Sequence, residues 1–177
     1  MDRTAEILGN LADFPTQDRV VAAIGQLGFA CRRGDREAIL LIGRALIAAY
    51  ERFPLRDFGL DAICRTADLI RGDEELVREI LPYVLVRTRG EGLQIGWLAD
   101  RQDECVRLLQ CRRLRSWRRS VLDCSDLARD GASRGGEHIF SARSPWLVIT
   151  ESCSVFPTTE LARQTLEAVP SSERSEP

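Results

Sequence analysis

The chain has 177 residues, a net charge of −2, 44% apolar and 29% charged residues. This is enough for one well-filled core, and it excludes a general affinity for nucleic acid or acidic membranes, so any such affinity must be local. All 25 basic side chains are arginine. GC-rich coding accounts for that most simply; selection against amines that ubiquitin-like modifiers attach to, in a protein working inside a foreign cell, is the alternative.

The N-terminus, MDRTAEILGNLADFP, mixes acids with its apolar residues and has no signal-peptide core. The longest apolar run, Ala38 to Tyr50, carries Arg44 and falls short of the roughly 20 residues that span a bilayer. A soluble, intracellular (cytoplasmic) protein is expected. The six cysteines include no C-x-x-C pair and there is one histidine, which argues for free thiols and against structural zinc. No metal or cofactor is expected.

Thr4 can cap a first short helix ending at Pro15, and Thr16 a second, with Val20, Val21, Ile24, Leu27 and Cys31 on one stripe. Arg32, Arg33 and Gly34 close it. Asp35 then opens the stretch AILLIGRALIAAY, which is apolar almost all round and reads as a buried central helix in an antiparallel hairpin with its predecessor. Asp57 opens a helix that Gly72 ends. Asp73 opens another, with Leu76, Val77, Ile80, Leu81, Val84 and Leu85 facing inward and a kink or break at Pro82.

From Leu93 to about Gln110 a further helix is expected, with Trp97, Leu98, Cys105, Leu108 and Leu109 buried. The stripe then moves to Leu114, Trp117, Val121 and Cys124, which predicts a break near Gln110 to Arg112. RDGASRGGEH reads as a loop. The β-branched and aromatic residues of EHIFSAR and WLVITESCSVF suggest a small hairpin about Ser144-Pro145, before a short helix, TELARQTLEAV.

The expected fold is therefore mostly α: a compact bundle of six to seven helices built from antiparallel hairpins, with a HEAT-like solenoid as the alternative arrangement and a small β-hairpin near the C-terminus. A helical domain is expected over 1–128, with a loop, hairpin and short helix packed on it over 129–169, and a disordered tail over 170–177.

The strongest local signal is a run of six arginines, Arg107, Arg112, Arg113, Arg115, Arg118 and Arg119, with no acid between Glu104 and Asp123. On a helix spanning 107–119, Arg112, Arg115, Arg118 and Arg119 share one broad face. Guanidinium groups hold carboxylates and phosphates in bidentate fashion. Such a face is either solvated, or meets an acidic patch on a partner protein, or binds nucleic acid with a steep salt dependence.

The leading functional expectation is non-enzymatic: an adaptor, regulator or inhibitor binding another protein through a helical surface, with Arg112, Arg115, Arg118 and Arg119 as the contact. Nucleic-acid binding by the same face is the alternative. A remote third reading is a cysteine-dependent hydrolase, pairing His138 with Cys153 or Cys124 and an acid such as Glu137 or Glu151, although nothing in the sequence marks a nucleophile turn.

Overall fold

A computed structural model describes residue 9 and residues 16–52, 58–90, 92–118, 123–132 and 137–171. The first expected helix, Thr4 to Phe14, lies outside these residues apart from Gly9, as does the tail from residue 172. The chain divides into two compact units, Met1–Leu81 and Pro82–Pro177.

The first unit is helical. Its helices are α1 (Gln17–Arg33), α2 (Arg36–Arg52), α3 (Phe58–Ile70) and α4 (Glu74–Ile80). Gly34 ends α1 in the left-handed region at φ 67°, and its amide donates back to the last turn, so the chain reverses at once into α2. Asp35 accepts from the Ala38 amide, and Asp73 accepts from the Glu75 and Leu76 amides. Each satisfies donors that a helix start leaves without partners. The core joins Leu27, Ile42, Leu46, Ile63, Ile70 and Ile80. Contrary to expectation, α2 is not buried on nearly all sides, since Leu41, Arg44 and Ala48 form an exposed stripe. α4 packs tightly on it: a Cβ at Gly43 would lie 2.7 Å from Ile80 Cδ1. Arg36 and Arg44 reach Glu79 from the same side at 3.1 Å each.

The second unit overturns the mostly α reading. It is a six-stranded antiparallel sheet, β1 (Tyr83–Thr88), β2 (Leu93–Gln102), β3 (Cys105–Arg118), β4 (Glu137–Phe140), β5 (Ser144–Ile149) and β6 (Ser152–Pro157), with α5 (Cys124–Asp130) and α6 (Glu160–Ala168). The segment expected to be a helix kinked at Pro82 is a helix up to Ile80 and a strand from Tyr83. The residue before a proline is pushed out of the helical region, and three consecutive apolar residues, Val84, Leu85 and Val86, then enter a sheet buried on both sides. The expected helix over 93–110 and the Arg-rich helix expected over 107–119 are, as far as Arg118, the β2–β3 hairpin; residue 119 lies outside the described residues. The described residues as a whole are therefore not an all-α helical bundle, since the second unit is built on a sheet. Ser144 and Pro145 are not a hairpin turn: they begin β5, and β4 and β5 both pair with β3 rather than with each other.

The spatial order is β4-β3-β2-β1-β6, with β5 beside the first half of β3 and β4 beside its second half. The residues Thr150 and Glu151 alone carry the chain from β5 on one edge to β6 on the other. Such a link reaches no more than about 10 Å, so the sheet must curl until its edges approach at this end. The Ser152 amide donates to Glu104 at the β2–β3 turn (2.9 Å), and the Arg89 amide donates to Glu151 (3.3 Å). Bulges provide the curl: the β2–β3 register shifts between Ile95 and Trp97 and again between Leu98 and Asp100, and Gln110 takes φ 47°. At the first shift a Cβ on Gly96 would lie 2.9 Å from Cys111 Cβ and 3.0 Å from the Leu109 carbonyl, so the strands can cross there only with glycine.

The inside of the curl is an aliphatic cluster of Val84, Val86, Leu98, Val106, Leu108 and Ile149, joined by Cys111. The opposite face carries Tyr83 and Trp97, edge to face at 4.8 Å, and α6 reaches it through Arg163, with Ala162 and Leu166 of the same helix fully buried. The Arg163 guanidinium lies over the Trp97 ring. α5 docks on α6 at Gly131, where φ is 77° and a Cβ would strike Thr165 Oγ1 and lie 2.8 Å from Ala162 Cα. We expect Gly131→Ala to destabilise the protein by about 2–4 kcal/mol, combining a left-handed backbone with overpacking; urea unfolding measures it.

Candidate interaction edge

The arginine run changes character when it is a strand. Successive side chains of a strand point to opposite faces, so Arg112 and Arg115 do not share one helical face. Arg112 is 3% exposed, whereas Arg115 is exposed. Arg118 ends β3 and its side chain is not among those described; Arg119 lies outside the described residues.

Arg112 faces α6. Its guanidinium donates to the Val169 carbonyl at 2.8 Å, the Ser141 carbonyl at 3.4 Å and the Leu166 carbonyl at 3.5 Å, and lies over the Phe140 ring at 4.6 Å. Burial is the main influence lowering its pKa, with Arg143 second. The carbonyls at a helix C-terminus carry partial negative charge and offset part of that cost.

His138 sits on β4 opposite Trp117, and neither ring nitrogen has a hydrogen-bond partner among the described residues. Burial holds its pKa below the ordinary value of 6.5. Cys124 opens α5 beside a shallow cavity of about 380 Å³, with Arg87, Thr88, Leu93, Asp123 and Phe156. Burial raises the Cys124 pKa more than Arg87 lowers it, so the thiol is not activated, and His138 is not among the described residues of that lining. The Cys153 and Glu137 side chains are not described, and Glu151 is exposed after β5. The structure therefore does not assemble the His138–cysteine arrangement from its described parts. Cys31, Cys64, Cys105, Cys111 and Cys124 are free thiols. Among the described residues no group of three or more His, Cys, Asp or Glu could hold a metal ion. No described helix is long and apolar enough to cross a membrane.

The sequence reading expected strand structure from Trp146 onward, but missed that β5, SPWLVI, pairs with β3 and presents a second edge. Leu147 is half-buried and Ile149 buried on one face, while Trp146 is 63% exposed and Val148 44% exposed on the other. One edge of β5 pairs with β3; among the described residues its other edge pairs with nothing. The remaining edges are better covered. β4 is bridged at Phe140 by Ser171, and β6, which contacts α5, exposes only Pro157 among its described side chains. Native sheets usually protect an edge with charge or proline; Ser144–Ile149 has no charge, and its one proline, Pro145, lies at the start, which leaves Trp146–Ile149 without either device.

The helical unit also exposes apolar side chains, Val21, Phe29, Leu41 and Leu69. Arg33 lies over the Phe29 ring at 5.5 Å, and a helix has no free ladder groups to offer.

Residues 81–166 match the family model described as Domain of unknown function (DUF6948). The match starts just before β1 and ends within α6, so the similarity is carried by the sheet unit and brings no activity with it. Neither the curated proteins nor the solved structures provide a match.

Arg112→Leu is expected to cost about 2–4 kcal/mol, because it strands buried carbonyls on α6, whereas Arg115→Ala should leave the urea midpoint essentially unchanged. A functional arginine face would predict the reverse, with both variants folded normally. For His138, a folded-state pKa below the unfolded one means that the unfolded chain takes up the proton first. Its contribution is complete above the unfolded value and is lost as pH falls through the folded one. Between about pH 7 and pH 5 the unfolding midpoint should drop, and His138→Phe should flatten that drop.

Proposed function

We propose that the protein is a protein-binding module whose contact is the free edge and outer face of β5. The observation that carries this reading is Trp146, 63% exposed beside Val148 on an uncharged strand with an unpaired edge. Exposed tryptophan is a frequent binding anchor, since it covers a large area with few rotatable bonds. An unpaired strand edge adds a row of backbone donors and acceptors that an extended segment can match, with pockets for alternate side chains giving selectivity. The surface is therefore a sheet edge instead of a helix face. The acidic partner inferred from a basic helix loses its support, because residues 107–118 are a strand and Arg112 is inside. Nucleic-acid recognition loses the same support.

The ligand chemistry this edge fits is an extended polypeptide segment with apolar residues at alternate positions. Selection from a displayed peptide library on sparsely immobilised full-length chain should enrich such segments, and Trp146→Arg or Val148→Lys should abolish the enrichment. A selection that gives no enrichment, or enriches equally on the Val148→Lys chain, overturns the reading.

A further inference from the structure

We propose that the cavity between α5 and the β1–β2 end of the sheet binds a free α-amino acid with an apolar side chain, its carboxylate held by Arg87 and its ammonium by Asp123. None of the lining residues belongs to β5, so this stands apart from the reading of that strand. All of them fall within residues 81–166, the segment that the family model covers.

Size sets the class of ligand. At about 380 Å³ the cavity lies toward the lower end of the roughly 300–1,000 Å³ usual for small-molecule sites, which suits a compact molecule. Its floor is apolar. Leu93 is the cross-strand neighbour of Arg87, and Phe156 is that of Leu85, two residues before it, so all four share one face of the sheet.

The lining carries one cation and one anion. Arg87 is exposed, and among the described residues its guanidinium has no hydrogen-bond or ion-pair partner. Asp123 uses only one carboxylate oxygen: Oδ1 accepts from the Ser125 amide, the Ser125 hydroxyl and the Asp126 amide at 2.8, 2.6 and 2.9 Å. Those bonds take up the first amides of α5 and hold the carboxyl below its usual range, which leaves the charge and the second oxygen for a ligand. Arg87 and Asp123 do not pair with each other, yet both act on the Cys124 thiol: burial raises its pKa most, Arg87 lowers it and Asp123 raises it.

A simple carboxylate entering the cavity would be repelled by Asp123, and a simple amine by Arg87. A zwitterion satisfies both, since the guanidinium takes a carboxylate in bidentate fashion and an ammonium donates to the open oxygen. Leu93 and Phe156 then favour an aliphatic or aromatic side chain over a polar one.

Titration calorimetry of the full chain with L-leucine and L-phenylalanine tests this. A dissociation constant of about 1 mM or tighter is expected, since both ion pairs stay partly open to water. N-acetyl-L-leucine, which lacks the ammonium, and L-leucinamide, which lacks the carboxylate, should each bind at least about tenfold more weakly. Arg87→Gln and Asp123→Asn should weaken L-leucine to the same degree with unchanged circular dichroism, because Arg87 is exposed and asparagine keeps the oxygen that caps α5. Cys124 reports the place. With amino acid at about ten times its dissociation constant, alkylation by iodoacetamide, followed peptide by peptide, should slow about tenfold at Cys124 and stay unchanged at the exposed Cys105. Failure of both amino acids to bind overturns the proposal. So does N-acetyl-L-leucine binding as tightly as L-leucine, undiminished binding in either variant, or saturating ligand that leaves Cys124 alkylation unchanged.

Discussion

The structure of the sheet unit depends on how one buried cation is satisfied. Arg112 is placed under the C-terminal turn of α6, and its donors reach carbonyls of the helix, of the residue after it and of the β4–β5 link. A helix of nine residues is marginal alone, and α6 contributes only Ala162 and Leu166 to the buried set. The guanidinium supplies what so small an apolar face cannot: direction, because its planar donors match carbonyls in only one arrangement. At the other end Thr159 caps the helix and donates to the Arg129 carbonyl, which fixes α5 against it.

That placement goes back to a glycine. Along an unbroken strand Cys111 and Leu109 would share a face, and Arg112 would point into the aliphatic cluster. The extra residue at Gln110, with its left-handed backbone, inverts the order, so that Cys111 joins the cluster and Arg112 the helix side. The inversion is possible because Gly96 leaves room opposite it. The same bulge bends the hairpin and helps bring β5 and β6 within reach of their short link. Curling brings the aliphatic cluster together on the inside of the sheet. Among the described residues β5 pairs with β3 alone, which leaves its second edge without a ladder partner.

Much of the helical unit could be read from the sequence, because its signals are local. Asp35, Asp73 and Gly34 act as caps by bonds to residues close by in the chain, and Val20, Ile24 and Leu27 of the expected α1 stripe are buried, although Val21 is exposed and Cys31 only half-buried. The sheet could not be read in the same way. β1 and β2 are buried on both faces, so Ile95, Trp97 and Leu98 are apolar without alternating, and Leu81, Val84 and Leu85 continue a helical spacing by coincidence past Pro82. The bulges break what alternation remains in β3. Proline was the feature to weigh most, since a stereochemical prohibition is stronger evidence than a periodicity. The β5 edge was illegible for another reason: exposure of Trp146 is a property of its neighbours' positions, not of its own segment.

The absence of lysine bears on how the arginines should be read. Lysine is a flexible point charge that prefers water, and in most proteins it supplies much of the surface cation count, leaving arginine for stacked and multiply bonded positions. In this chain arginine must do both. Arg44 and Arg36 make exposed ion pairs that lysine could serve. Arg112 over Phe140 and Arg163 over Trp97 use the planar group inside the sheet unit, where an ammonium would lack donors in the right directions. A dense run of arginine in such a sequence therefore does not mark a basic surface by itself. In β3 the alternation of a strand sends part of the run inward, and the charge that looked like a contact site is spent holding a helix in place.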